Sequence, residues 1–118
     1  MPPVRIHAAQ AHHNHAFWSS LDLATTPYRD WAVVAMFYEA LHWLEAYLAT
    51  YGVHPTSHSQ RLRALANYAD LDRIEPSYTY LRNASERARY DAYHHSADEA
   101  HALASLVANV EAAVVPFL

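Results

Sequence analysis

The chain has 118 residues, a net charge of −4 with its histidines neutral, and no cysteine. This length suits one domain over residues 1–118, and an apolar fraction of 53% is enough for a core and too high for a disordered chain. The lack of cysteine excludes disulfides and thiolate metal sites, and the net charge argues against binding of nucleic acid through overall basicity. The N-terminal stretch has no apolar signal core, and no apolar run approaches the roughly 18 residues of a membrane span. We therefore expect a cytoplasmic protein without membrane contact.

Turn residues are scarce along the whole chain. Gly52 is the single glycine, and a β-rich protein of this size would need more turn residues, so the sequence predicts an all-α fold. The segment before Asp22 is predicted to be the first helix, with Phe17, Trp18 and Leu21 turned inward.

The second predicted helix has the clearest signals. It opens at "TTPYRDW", where Thr26 can cap it and Pro27 suits the first helical position. It runs to Tyr51, and Gly52 follows where a left-handed residue is favoured. Apolar side chains form stripes on two of its sides, which indicates a helix that is central in the bundle or shared with a second chain.

Three further helices follow. One is predicted to start near Ser57, and the next carries Pro76 in its first turn. The stretch "SADE" from Ser96 to Glu99 is a capping box that opens a last helix running to about Val115. The sequence therefore predicts an up-and-down bundle of about five helices.

Arginine supplies all the cationic charge, because the chain has eight arginines and no lysine. Six of the eight fall between residues 61 and 89 with only four acids, so this window is locally positive. Arginine forks bind phosphate well. The alternative interpretation is ordinary surface charge. The six are Arg61, Arg63, Arg73, Arg82, Arg87 and Arg89.

The stretch "SERARYDAYHH" raises a question of chemistry, because Arg89 precedes His94 and His95 with four and five residues between. On one continuous helix Arg89 and His94 would lie about 140° apart. Ser96 caps a new helix, so we expect a break that lets the histidines fold back. A histidine can then move a proton of a ribose 2′-OH while the arginine stabilises the transition state, without metal or cofactor. The alternative is an arginine favoured at a helix C-terminus beside exposed histidines.

A second anion site is suggested by "HPTSHSQR". Ser57 lies at a helix N-terminus, and His58 and Arg61 follow in the first turn, where they could hold a phosphate. A plain helix cap with solvated neighbours is the alternative.

Two patterns could hold metal, and we interpret both as structural. Glu39 and His42 share one helix side, but no second Glu-x-x-His occurs, so we expect a buried His42 bonded to Glu39 or Tyr38. The run "HHNH" at residues 12–15 is interpreted as an exposed helix face.

Nine tyrosines could stack on nucleic-acid bases, although such residues more often fill a helical core. We expect Tyr78 and Tyr90 in the core and leave Tyr93 open.

Three stretches together resemble the HEPN family of small helical bundles, named for its nucleotide-binding domains in higher eukaryotes and prokaryotes. They are "DWAVVAMFYEALHWLEAYLATYG", "VHPTSHSQRLRAL" and "YTYLRNASERARYDAY". The first resembles the family's long second helix, the second its Thr/Ser-His connection, and the third the stretch that ends in an aromatic tyrosine. The resemblance implies a homodimer of helical bundles that binds nucleotide or RNA.

Many members of this family carry an Arg-x4–6-His motif and act as metal-independent ribonucleases in toxin–antitoxin or defence systems. By resemblance, Arg89 with His94 or His95 would be catalytic, and an antitoxin or a nucleotidyltransferase could be the partner protein. Other members are catalytically silent modules for dimerisation or partner binding. Tyr90 after the arginine and the negative net charge favour that second class.

Overall fold

The computed structural model describes residues 2–118, and in this range every regular element is helical, which confirms the predicted all-α bundle. The α-helices are α1 (Val4–Ser19), α2 (Arg29–Ala49), α3 (His58–Asn67), α4 (Glu75–Tyr90) and α5 (Ala97–Val114). Short 3-10 turns occupy Ala69–Leu71 and Val115–Phe117.

The helix α2 is the centre of the bundle, as its two apolar stripes predict. It packs against α1, α4 and α5, and most of both stripes is buried, whereas Trp31 near the start of the helix is exposed. Phe37, Trp43 and Leu44 are each at most 1% exposed. Full burial of an apolar side chain stabilises the fold by roughly 1.5–3 kcal/mol, and α2 carries more of the buried apolar side chains than any other helix.

The predicted start of α2 is wrong by two residues. The backbone N–H groups of Thr25 and Thr26 donate to the carbonyl of Asp22, which makes a turn before the helix. The Thr26 hydroxyl oxygen accepts the N–H of Tyr28 within this turn at 3.1 Å, so it is not the helix cap. The helix itself begins at Arg29.

The end of α2 follows the sequence signal. Gly52 has φ +72°, the left-handed conformation that costs a glycine nothing. The N–H of Val53 donates to the Leu48 carbonyl and the N–H of Gly52 to the Ala49 carbonyl, each at 3.0 Å. These two hydrogen bonds supply donors to carbonyls that have none within the last turn of the helix.

The three later helices begin where local chemistry predicts. The Ser57 hydroxyl oxygen accepts the N–H of Gln60 at 3.2 Å, which caps α3. Pro76 sits in the first turn of α4. The Ser96 hydroxyl oxygen accepts the Glu99 N–H at 3.1 Å and the Glu99 carboxylate accepts the Ser96 N–H at 2.9 Å, which completes the capping box of α5.

Two predicted core aromatics lie outside the core. Phe17 is 49% exposed, because its neighbour Trp18 is the residue of that turn that faces α2. Tyr90 is 77% exposed, because it falls off the stripe through Tyr78 and Leu81 that packs on the core. Tyr78 is fully buried, as predicted.

The last helix also differs from the expectation of no membrane-length segment. By length and composition alone, the 21 residues Ala97–Phe117, with a mean hydropathy of 1.4, could cross a membrane. The core helix of a soluble protein passes the same test. In this bundle Leu103, Val107 and Val110 are buried against the other helices, which is consistent with a soluble protein. A cytoplasmic location stays a prediction.

Candidate functional site

The break between α4 and α5 falls where the capping box predicts it. Arg89 lies in the last turn of α4, and His94 and His95 lie in the connection to α5. Ala92 has φ +52°, a left-handed conformation that reverses the chain at this point. This reversal directs His95 into the bundle, and its carbonyl accepts the Nε–H of Arg29 at 2.7 Å.

Arg89 turns towards α2 rather than towards the two histidines. Its Nη1 donates to the hydroxyl oxygen of Tyr38 at 3.0 Å, and its guanidinium carbon lies 5.1 Å from the centre of the Tyr90 ring. Within residues 2–118, Arg89 forms no ion pair with a carboxylate. It is a half-buried cation with free donors.

His58, one of the predicted anion-binding residues, is surrounded by arginine charge. His58 is close enough to Arg61, Arg82 and Arg89 that all three positive charges lower its pKa, although desolvation by burial is the larger cause. The hydroxyl of Tyr78 lies 3.4 Å from the His58 Nδ1. We call Arg61, Arg82 and Arg89 around His58 the arginine cluster.

Two acids partly balance the arginine cluster. The Arg61 Nε donates to Glu45 at 2.7 Å in a pair that is mostly buried, and the Arg82 Nη2 lies 3.2 Å from Glu86. Three guanidinium groups therefore face two carboxylates. Since its lowered pKa keeps His58 neutral near pH 7, the cluster keeps an excess of one positive charge, which belongs to Arg89.

Ser57 takes the role of helix cap at the edge of this cluster. Its hydroxyl oxygen is already engaged by the Gln60 N–H, and the Thr56 N–H donates to the Gln60 side chain at 2.7 Å. The cap is therefore satisfied by the protein itself. A phosphate contact from Ser57 stays a prediction.

His95 lies on the other side of α4. Its side chain is 2% exposed and lines a cleft between α4 and α5, together with Arg87 and Glu99. We call this space the α4–α5 cleft. Desolvation is the main cause that lowers the pKa of His95, and the positive charge of Arg87 acts in the same direction. His94 is exposed to solvent in the connection.

The charges of Arg61 and Arg89 thus both act on His58, whereas Arg89 does not line one pocket with His94 or His95. Helix geometry gives the reason. Residues two positions apart differ by about 200° around a helix, so Arg87 faces the α4–α5 cleft when Arg89 faces α2.

Arg82 and Tyr38 are site residues that sequence reasoning missed. A signal for Arg82 exists, because it is seven residues before Arg89 and therefore on the same side of the helix. No sequence signal indicates Tyr38, which is 51 positions from Arg89 along the chain.

Glu39 and His42 have other hydrogen-bond partners than the sequence predicts. The His42 Nδ1 lies 3.1 Å from the His7 Nδ1, so the predicted hydrogen bond from His42 to Glu39 or Tyr38 is wrong. Glu39 instead accepts the indole N–H of Trp43 at 3.0 Å. In the described part of the chain, no group of three or more His, Cys, Asp or Glu side chains could hold a metal ion.

The histidine run at residues 12–15 is only partly an exposed face. His12 and His13 are exposed, whereas the His15 Nδ1 lies 3.0 Å from the Glu39 carboxylate, which accepts its N–H. One member of the run therefore ties α1 to the central helix.

No family model, curated protein or solved structure matches this chain. The fold defines the structural class of the protein, which is an all-α bundle with α2 at its centre. The resemblance to the HEPN family stays a prediction from the sequence.

Proposed function

We propose that the protein binds the phosphate groups of a nucleotide or RNA at the arginine cluster. The proposal rests on Arg89, a half-buried guanidinium without a carboxylate partner in residues 2–118, whose charge acts on His58 together with those of Arg61 and Arg82. A planar guanidinium with free donors matches phosphate oxygens in pairs. Exposed Tyr90 beside Arg89 supplies a ring on which a base could stack.

We extend the proposal to metal-independent RNA cleavage, in the cytoplasm and in a toxin–antitoxin or defence setting. The 2′-oxygen would attack phosphorus, the 5′-oxygen would leave, and Arg89 would stabilise the charge on the phosphoryl oxygens. A histidine would remove or supply the proton. His58 is the histidine whose pKa the charge of Arg89 lowers in the same chain, whereas His94 or His95 would have to come from a second chain of a homodimer.

Binding is tested first, with fluorescence anisotropy of a labelled single-stranded RNA over a series of salt concentrations. Arg89→Gln should weaken binding and reduce the slope of log affinity against log salt by about 0.7, the value for one phosphate charge that the protein no longer neutralises. Arg63→Gln removes the same charge from an exposed position of α3 and is the matched control. Equal effects of the two variants, or no binding of RNA or mononucleotide at low salt, would contradict the proposal.

Cleavage is tested on total RNA with EDTA present. The variants are Arg89→Ala, His58→Ala, His94→Ala and His95→Ala, each checked for helix content by circular dichroism. Loss of activity in Arg89→Ala together with His58→Ala assigns the proton transfer to His58 in the same chain. Loss with His94→Ala or His95→Ala assigns it to a partner chain. RNA that stays intact with the natural protein limits the function to binding.

A second candidate function is an interaction module, and one surface favours it. The α1–α2 groove is an apolar surface with Trp31 58% exposed and Phe17 49% exposed, and with half-buried Val34 and Ala35 between them. Apolar surfaces of this kind are typical of protein interfaces. We propose a second copy of the chain as the occupant, with an antitoxin or a nucleotidyltransferase as further partners of the module.

Sedimentation equilibrium tests this candidate. The natural protein should be a dimer, and Trp31→Glu should shift it towards monomer by placing a charge in the apolar contact. Tyr80→Glu, at a side chain 65% exposed on α4, is the control and should leave the dimer intact. A natural protein that sediments as a monomer at all concentrations would remove the homodimer from the proposal.

A further inference from the structure

The α4–α5 cleft is a built cavity on the side of α4 away from the arginine cluster. It has a volume of about 450 Å³, within the usual range for small-molecule sites. Ala84 on α4 and Ala102 on α5 line it with short side chains, and Leu103 adds to its apolar lining. A small apolar group would fit between these walls.

His95 belongs to the wall of this cleft. Its side chain is 2% exposed, and its Nδ1 is buried without a hydrogen-bond partner in the described residues. Buried polar atoms are nearly always paired, so the unpaired Nδ1 is an unusual feature of the wall behind this cleft. Desolvation and the charge of Arg87 lower the pKa of His95, while Glu99 and Asp30 oppose them, so the imidazole is neutral at pH 7.

Two free charges of opposite sign stand on the two walls. The Arg87 guanidinium carbon lies 3.9 Å from the centre of the Tyr93 ring, and neither Arg87 nor Asp98 forms an ion pair within residues 2–118. The neighbouring carboxylate of Glu99 is occupied, because it accepts the Tyr93 hydroxyl at 2.9 Å and the Ser96 N–H at 2.9 Å. Arg87 and Asp98 are left to meet a ligand.

We propose that the α4–α5 cleft binds a small zwitterion of the α-amino-acid class with an apolar side chain. The ligand carboxylate pairs with Arg87 and its ammonium group with Asp98. The side chain lies against the apolar lining of Ala84, Ala102 and Leu103. The proposal is independent of the arginine cluster, which lies on the other side of α4.

Ligands with a single charge fit this cleft less well. The carboxylates of Asp98 and Glu99 repel a simple anion, and Arg87 repels a simple cation. An uncharged apolar molecule leaves the charges on both walls without partners. The combination of one cation and one free carboxylate across an apolar space therefore selects a molecule that carries both signs.

Isothermal titration calorimetry with the standard L-amino acids tests the proposal on the full chain. L-Phenylalanine, L-leucine or L-methionine should give saturable binding. Phenethylamine and 3-phenylpropanoate each keep one charge of L-phenylalanine and should bind at least about tenfold more weakly. Arg87→Gln and Asp98→Asn should each weaken amino-acid binding by about tenfold, and Arg63→Gln should not.

A cavity-filling pair of variants locates the site. Ala102→Phe should abolish binding by filling the cleft, and Ala108→Phe, at another exposed alanine of α5, should leave binding intact. Circular dichroism verifies that both variants are folded. The proposal is overturned if no standard amino acid saturates the protein at about 10 mM, a concentration that detects even weak binding. It is also overturned if 3-phenylpropanoate binds as well as L-phenylalanine, or if Ala102→Phe binds normally.

Discussion

Glu39 is a carboxylate with no solvent exposure, and three side chains from two helices surround it. Its Oε1 accepts the indole N–H of Trp18 at 2.7 Å and lies 3.0 Å from the His15 Nδ1. Its Oε2 accepts the indole N–H of Trp43 at 3.0 Å. A buried charge is tolerated when its oxygens are fully hydrogen-bonded, so this residue ties α1 to α2.

Removing this carboxylate should destabilise the bundle strongly. Glu39→Ala leaves two indole N–H groups without an acceptor and should cost about 3–5 kcal/mol, while Glu39→Gln keeps one acceptor and should cost about 1–3 kcal/mol. Urea unfolding followed by circular dichroism measures both. Glu111→Gln, at a carboxylate without a side-chain bond in the described chain, is the control. The interpretation fails if Glu39→Gln is as stable as that control.

At the scale of the element, α5 shows how a local signal sets a helix boundary. Ser96 and Glu99 exchange hydrogen bonds at 3.1 and 2.9 Å, and the Glu99 carboxylate also accepts the Tyr93 hydroxyl. The N–H of Ser96 and the hydroxyl of Tyr93 are the main causes that lower the pKa of Glu99. The cap therefore fixes both the start of α5 and the tyrosine that supports Arg87.

Loss of this cap should have a measurable cost. Ser96→Ala should destabilise the protein by about 1 kcal/mol and lower the midpoint of thermal unfolding by about 4 °C. Ser105→Ala in the middle of the same helix is the matched control. It should be neutral or stabilising, because alanine is the better helix former. Equal midpoints for the two variants would contradict a capping role for Ser96.

The capping box also explains which features of the candidate site can be predicted from the sequence. Since Ser96 and Glu99 are three residues apart, the sequence alone places Arg89 at a helix end and His95 in a connection. The burial of His95 and the bond from Arg89 to Tyr38 depend on how distant helices pack, and no local pattern carries that information. The exposure of Tyr90 is different, because helix periodicity alone takes this residue off the stripe through Tyr78 and Leu81.

At the scale of the whole molecule, four histidines share one property. Desolvation by burial is the main cause that lowers the pKa of each, and they lie on α1, on α2, on α3 and before α5. The four are His7, His42, His58 and His95. The folded protein therefore favours neutral imidazoles throughout its interior.

Stability should fall as the pH drops below about 6.5, the pKa of an imidazole in the unfolded chain. Below that value the unfolded state binds protons that the folded state excludes, until the pH reaches the lower folded values. Each histidine contributes at most about 1.4 kcal/mol per pH unit in this window. Urea unfolding between about pH 7.5 and 5.5 measures the loss.

A variant assigns part of this pH dependence. His95→Gln should make the loss of stability between the two pH values smaller, because one of the four groups no longer titrates. His101→Gln, at an exposed position of α5, should leave it unchanged. A free energy of unfolding that stays constant or rises towards pH 5.5 would contradict the assignment.

The helix α3 makes few buried contacts with the rest of the bundle, and this affects how readily it opens. Only Ala64 and Leu65 of its ten residues are buried, and the ion pair from Arg61 to Glu45 is its main polar link to α2. Segments with so little buried surface open locally at a lower free energy than the whole fold. Because His58 and Arg61 belong to this helix, a phosphate held by the arginine cluster would also hold α3 closed. Binding would then slow amide hydrogen exchange along all of α3, including turns that never touch the ligand.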